Sequence, residues 1–368
     1  MGSEPRMKVY EVSTPAVVVD LDVMERNLAR MAQYCESHGI ALRPHTKTHK
    51  TLEAAQRQLE LGAIGLTVAK VGEAEVMVES GAKEILVAHP IIGDEKLRRL
   101  AALTSRVRVI VAVDSLRTAE AMSRIASEAG CNFDVLIEFD SGALRCGVAA
   151  GRDAAELGKK ISLLPNITLR GLFTYFGSVW GNEAERAAEM QRLTADVERT
   201  IKAFREAGLS VEIVSAGSTP AAEMSHLVPG ITEIRPGTYI YNDLNTYYQG
   251  LCGLEDCAVR VVTTVVSTAV PGHAIVDAGS KTFSSDLLSA GPKVGYGEVM
   301  ERTARVSKLN EEHGYLTADD LTGFAVGQVL TVIPNHVCTC INMHDEVLLA
   351  RQGEIVGSWN VAARGKVR

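Results

Sequence analysis

No run of apolar residues in this 368-residue sequence is long enough to cross a bilayer. Positive charge is in short supply as well. The 38 lysines and arginines face 45 acids, and the net charge of −7 argues against nucleic acid or an anionic membrane as the main partner. Residues 1–10 hold no apolar core of the kind an export signal needs, so nothing there directs secretion. The seven cysteines lack the paired spacing of a small disulfide-bonded domain, and a reducing cytoplasm is the expected setting. Cys338 and Cys340 are separated by one residue, a poor spacing for a mutual disulfide, which leaves metal binding or simple burial for either thiol. Internal repeats, low-complexity segments and flexible linkers are also missing.

What is present is an ordinary globular composition, 46% hydrophobic and 23% charged, on a length that suits two domains. Short apolar runs alternate with helical patterns over the first two thirds of the chain. Eight such runs follow a first helix at 23–39. They lie at 41–47, 65–69, 84–88, 107–114, 133–140, 169–176, 211–215 and 233–241. Most are continuous rather than alternating, which suits strands buried on both faces in a parallel sheet. Helical stretches between them stand at 52–61, 72–80, 116–129 and 183–207. Eight β-α repeats in about 200 residues predict a (β/α)8 TIM barrel, with a doubly wound open sheet as the rival. A further run at 16–22 is one strand too many for the barrel. Beyond about residue 246, strand-like runs at 259–268, 273–278, 328–333 and 346–350 are punctuated by Gly and Pro, with no strong helical stretch. The expected organisation is an α/β barrel over 22–245 and a β domain over 246–368, completed by the N-terminal strand within 1–21.

The first barrel strand ends in Arg43-Pro44-His45-Thr46-Lys47-Thr48-His49-Lys50. In this fold the C-terminal strand ends carry the active site. Neighbouring positive charge lowers the pKa of a lysine there and makes its amine nucleophilic, so Lys47 is the candidate nucleophile. A basic, solvated junction is the alternative, weakened by the apolar run that leads into it.

Two glycine turns follow late strands: Ser215-Ala216-Gly217-Ser218-Thr219-Pro220 and Arg235-Pro236-Gly237-Thr238-Tyr239. Backbone N–H groups in such turns, with Ser and Thr hydroxyls, can cradle a phosphate, and the loops after strands seven and eight are where a TIM barrel places one. Each turn alone is a weak signal, a tight turn with no ligand being the alternative, and it is their joint position on adjacent late strands that raises the phosphate reading. Arg145, just beyond the fifth strand, could reach a bound ring or pair with Asp140 or Glu138. Tyr175 ends the sixth strand, as a site residue or a rim tyrosine. In Ile333-Pro334-Asn335-His336-Val337-Cys338, His336 and Cys338 share a face if the segment is a strand, and could ligate one metal with open positions left for water or substrate. Side-by-side burial is the alternative.

Taken together, these pieces resemble the fold-type III pyridoxal-phosphate family that contains D-serine dehydratase and D-threonine aldolase. The matching stretches are Thr14-Pro15, 43–50, 217–220, 235–239, Glu312-His313-Gly314 and 333–338, in the family's order across most of the chain. The resemblance implies an alanine-racemase-like barrel with a β domain, working as a homodimer with active sites at the subunit interface. It makes Lys47 the Schiff-base lysine, and puts Arg145 and Tyr175 against the cofactor. Ser218, Thr219, Gly237 and Thr238 match the phosphate-binding turns, and His336 and Cys338 the divalent-metal ligands. Zinc is the metal of the dehydratase branch, with manganese or magnesium as alternatives. Trp180 departs from the family at a position where the animal D-serine dehydratases resemble one another in having tyrosine, so the substrate pocket is expected to differ.

The implied function is a lyase acting on a 3-hydroxy-D-amino acid, with no nucleic acid or membrane partner. Dehydration to a 2-oxo acid and ammonia is favoured over aldol cleavage on two counts. No histidine occurs between His89 and His226, so the loop after Tyr175 lacks the base that the aldolase branch carries there. The metal pair also reads His-x-Cys, where the aldolases resemble one another in having His-x-Asp, and a thiolate suits zinc. An amino-acid racemase on the same barrel is the more distant alternative. A cofactor-carrying single barrel is disfavoured by the β domain.

Overall fold

The computed structural model describes residues 7–289, 291 and 295–368. Residues 1–6 of the N-terminal segment assigned to the β domain lie outside these. The chain divides into two compact units. One comprises Arg30–Lys47, Leu52–Gly237 and Gly365–Arg368. The other comprises Thr48–Thr51 and Thr238–Arg364, with the described residues up to Ala29. The division falls at 237/238, ahead of the expected 245/246, and Gly365–Arg368 return to the first unit, where Gly72 N donates to Arg368 O at 2.8 Å.

The first unit is an eight-stranded parallel barrel. In chain order its strands are Ala41–Leu42, Leu66–Val68, Glu84–Val87, Arg108–Val113, Phe133–Asp140, Ile167–Phe173, Ile213–Ala216 and Glu233–Ile234, each from the second onward paired with the next. The circle closes between the last strand and the first, where Glu233 and Ile234 pair with Ala41 and Leu42. The His45–Thr67 bridge joins the first strand to the second. The doubly wound rival is therefore excluded. All eight strands coincide with the apolar runs of the sequence, because both faces of each are covered. Leu86, Ile110, Ala112, Leu136 and Phe173 point inward and fill the barrel as one cluster, with Ala88 and Ile213 packed against it.

One irregularity has a clear cause. The register between the fifth and sixth strands shifts at Val135/Leu136, opposite Gly171, whose φ is +144°. A Cβ on Gly171 would lie 2.0 Å from Ile213 O, so only glycine fits the bulge. Two outer helices, Asp94–Leu103 and Arg152–Ser162, are absent from the sequence expectation. The second contains Gly158, a poor helix former, which is there because Leu209 and Phe204 pack where its side chain would stand.

A buried ion network lies among the barrel strands. Arg43, 1% exposed, is bidentate to Glu233 at 2.9–3.0 Å and reaches Glu84 at 2.8 Å. Ser215 Oγ donates to Glu233 at 2.6 Å, and Arg235 donates to Ser215 Oγ at 2.7 Å. Removing one partner strands a charge without water. Glu233→Ala is thus expected to destabilise the protein by about 3–5 kcal/mol, read as a lower urea midpoint.

The second unit is mostly antiparallel. Strands Ala274–Val276, Gly314–Thr317, Arg305–Leu309, Gly297–Val299, Val329–Pro334 and Val259–Ser267 pair in that order, and the first also pairs with the last, which closes a barrel. Ala16–Asp20 runs antiparallel beside Val259–Ser267 and parallel beside Glu346–Arg351, with Glu354–Asn360 at the edge. The extra N-terminal strand is therefore an inner strand of this sheet. No helix among the described residues is long and apolar enough to cross a membrane.

Candidate active site

Lys47, Arg145, Tyr175, Ser218, Thr219 and Gly237 all follow the C-terminal ends of barrel strands, the first, fifth, sixth, seventh and eighth. Lys47 sits in the one-turn helix Thr46–Thr48, exposed, with its backbone N–H on His45 Nδ1 at 3.4 Å. Glu73 braces that turn, accepting from Thr46 Oγ1 at 2.7 Å and from Ala69 N at 2.8 Å. Among the described residues no hydrogen bond or ion pair engages the Lys47 ammonium, which leaves the amine available.

The turn after the seventh strand has the form an anion needs. Gly217 takes φ +97°, a left-handed conformation that suits glycine. Thr219 Oγ1 accepts from Gly237 N at 3.3 Å, linking the two glycine turns, and Ser218 Oγ donates to Phe176 O at 2.8 Å. The backbone N–H groups of Ser218 and Thr219 donate to no acceptor among the described residues. Two successive free donors in a buried turn fit a phosphate.

Arg145 pairs with neither Asp140 nor Glu138. Its guanidinium lies over the Tyr175 ring, 4.5 Å from the centroid. Asp140 instead accepts from Gly142 N and Leu144 N. Glu138 is buried without a hydrogen-bond donor among the described residues. Burial first, then the neighbouring Asp114, pushes its carboxyl up to about 7. Arg235, which sequence reasoning assigned no role, is wholly buried over the Phe173 ring at 3.8 Å, and burial lowers it to about 10. His89 follows the third strand with both nitrogens engaged: Nε2 meets Lys70 Nζ at 2.9 Å and Nδ1 meets Pro90 O at 2.7 Å. Burial, then Lys70 and Arg145, lowers its pKa. Trp180 is exposed, with Nε1 donating to Gly177 O.

In the second unit the His336–Cys338 segment is not a strand. Val329–Pro334 ends before it, His336 caps the helix Val337–Ile341, and Cys338 stands in its first turn. The buried Asp243 accepts from Val337 N, the first N–H of that helix, at 3.0 Å. The pair still meets, through a side-chain hydrogen bond. His336 Nδ1 is 2.6 Å from Asp286 Oδ2, and Thr339 Oγ1 donates to the same oxygen at 2.9 Å. Thr48 Oγ1 lies 3.2 Å and Thr238 Oγ1 3.7 Å from Cys338 Sγ. Thr238, expected at the phosphate, thus has its hydroxyl on this sulfur. Burial opposes the imidazolium of His336, yet Cys338, Asp243 and Asp286 together raise it to about 10.

This donor set fits a soft divalent metal. With Nδ1 committed to a carboxylate, Nε2 is the nitrogen left to bind, and a carboxylate–imidazole–metal relay with one thiolate suits zinc. Among the described residues no group of three or more His, Cys, Asp or Glu is arranged to hold a metal ion, and with His336 and Cys338 as the candidate ligands the rest of the shell would be open. Asp286→Asn, which weakens the relay, is expected to lower metal affinity about 10–100-fold, measured by competition with a chromogenic chelator. Asp286 and Asp243 were invisible beforehand, since neither belongs to a motif. Thr48 lies inside the lysine motif but carried no signal of its own.

Two family profiles match the chain: "Alanine racemase, N-terminal domain" over residues 19–245 and "Putative serine dehydratase domain" over 258–350. A D-threonine aldolase of Arthrobacter sp. is 32% identical, covering 99% of this chain and 96% of its own. A D-threo-3-hydroxyaspartate dehydratase of Delftia sp. is 36% identical, covering 89% and 91%. A solved Cys-to-Ala variant of D-threo-3-hydroxyaspartate dehydratase, in the metal-free form, superposes with a TM-score of 0.88 at 34% identity, covering 96% of this chain and 99% of its own.

Proposed function

The chain belongs to the fold-type III pyridoxal-phosphate family of D-amino-acid lyases, and we propose that it removes water from a 3-hydroxy-D-amino acid to leave a 2-oxo acid and ammonia. The observation that carries this reading is the Asp286-braced His336–Cys338 pair, whose thiolate suits zinc. Barrel histidines supply little for the alternative. None follows Tyr175 in its loop, and His89 has both nitrogens occupied.

Pyridoxal phosphate, held by Lys47 and by the turns at Gly217–Thr219 and Gly237, supplies when bound an electron sink for charge developing at Cα. His336 and Cys338 would hold zinc, which would supply Lewis-acid polarisation of the 3-hydroxyl. The chain does the rest. The Lys47 amine takes the Cα proton, the step that starts elimination. Arg145, held by the Tyr175 ring, presents a fixed positive charge toward the cofactor. The N–H groups of Ser218 and Thr219 anchor the phosphate, so that the reacting carbons stay in register with Lys47. Loss of the proton from Cα and of hydroxide from Cβ leaves an enamine, which water converts to the 2-oxo acid and ammonia after release.

Retro-aldol cleavage is the second reading, favoured by the aldolase relative that spans nearly the whole chain. It needs a base beside the 3-oxygen rather than at Cα. D-threonine separates the two. Elimination yields 2-oxobutanoate and ammonia, the expected products. Glycine and acetaldehyde as the main products would overturn the proposal. The active unit proposed with this reaction is a cytoplasmic homodimer, for which light scattering on the cofactor-loaded protein should return twice the chain mass.

A further inference from the structure

Cys252 and Cys257 take no part in the proposed reaction, yet the fold brings their sulfurs together. They bracket the one-turn helix Leu254–Asp256. That turn is tied at three points: Asp256 Oδ2 accepts from Gly253 N at 3.0 Å, Gly253 O accepts from Asp256 N at 3.2 Å, and Leu254 O accepts from Cys257 N at 3.2 Å. The chain is folded back on itself, and Cys252 packs against the apolar cluster that contains Cys257. Cys257 Sγ also lies 3.9 Å from Gly253 O, over the residue next to Cys252. Cys252 Sγ is 3.5 Å from Thr246 Oγ1.

Their settings differ. Cys257 is fully buried in an apolar cluster with Leu244, Leu288 and Ile333. Cys252 is half-buried at the margin of that cluster and within reach of a small solute. We propose that this pair is a reversible oxidation site, in which hydrogen peroxide attacks at Cys252 and Cys257 closes an internal disulfide.

Electrostatics divide the labour in the same sense. The neighbouring Cys257 lowers the pKa of Cys252 against the opposing effect of burial, while Cys252 and burial hold Cys257 up. Cys252 is the thiolate that attacks, and Cys257 keeps its proton until it is needed. Burial pushes Cys35 and Cys340 up to about 12, which keeps those thiols inert.

The steps balance. The Cys252 thiolate attacks one peroxide oxygen, an S–O bond forms, the O–O bond breaks, and hydroxide leaves with the proton Cys252 gave up. Sulfur is oxidised to a sulfenic acid and the peroxide is reduced to water. Cys257 sulfur then displaces the sulfenic hydroxyl, which departs with the Cys257 proton as a second water, and the S–S bond forms. A thiol reductant reverses it.

The test uses the cofactor- and metal-loaded protein. It is treated with hydrogen peroxide, blocked with N-ethylmaleimide, reduced, then labelled with iodoacetamide and mapped by peptide mass spectrometry. The second label is expected on Cys252 and Cys257, with the intact mass before reduction lower by two hydrogens. In Cys257→Ser, Cys252 should stop at the sulfenic acid and take a dimedone adduct. In Cys252→Ser, a change at the half-buried position that spares the core, oxidation of Cys257 should slow at least tenfold. Retention of the first label on both sulfurs while other cysteines oxidise would overturn the proposal. So would unchanged oxidation of Cys257 in Cys252→Ser.

Discussion

Lys47→Ala is expected to lose covalent capture of the cofactor by borohydride and to lower turnover by about 10²–10⁴-fold, the range for removal of a positioned acid–base group. The amine is at the end of the first barrel strand, in a turn that Glu73 holds through Thr46 Oγ1. It is free of any carboxylate among the described residues, so no stability is lost with it. The thermal midpoint should therefore stay near that of the parent protein, which separates a chemical defect from a folding one. The phosphate turn is unaffected by the change, and the variant should still bind pyridoxal phosphate reversibly through Ser218, Thr219 and Gly237. Borohydride followed by dialysis reads the difference: the parent keeps the cofactor and the variant releases it. A variant that still forms a reducible adduct through Lys50 or Lys70, with turnover intact, would move the assignment away from Lys47.

The barrel was legible because its signal is local. Continuous apolar runs such as Val-Ile-Val-Ala-Val at 109–113 have no polar face to hide, so they announce a strand covered on both sides. Lys47 and the glycine turns were legible for a related reason: each sits where such a run stops. His336 and Cys338 were read on the wrong local geometry. Val337, Cys338 and Thr339 look like a continuation of the strand before them, and the bond that meets the first N–H of the helix comes from Asp243, distant in sequence. The same limit hid Asp286 and the contact of Thr238 with Cys338, since tertiary hydrogen bonds leave no periodicity. Four of the nine strands described in the β unit were missed as well. Gly297–Val299, Arg305–Leu309, Gly314–Thr317 and Glu354–Asn360 are short or carry charge, and their pairing rather than their composition makes them strands.

Cys338→Ala, or treatment with a chelator, is expected to slow elimination by about 10²-fold or more, corresponding to about 3 kcal/mol of barrier. The fold should survive both. The helix that carries Cys338 is held by the protein's own bonds: Asp243 on Val337 N, Asp286 on Thr339, Asn335 on Gly295 O at 2.8 Å, and Lys50 on Asn342 at 2.8 Å. A structural metal would need a closed shell of protein donors, and the two candidate ligands His336 and Cys338 are too few for one. The thermal midpoint and the borohydride-reducible cofactor should therefore persist after chelation while turnover falls, and added zinc should restore the rate in the parent but not in Cys338→Ala. Cys338→Asp sharpens the argument, because it exchanges a soft donor for a hard one. Its activity should return with manganese or magnesium in preference to zinc. A large drop in thermal midpoint on chelation would make the metal structural. An unchanged rate would remove it from the reaction and leave the His336–Cys338 pair as a buried hydrogen bond.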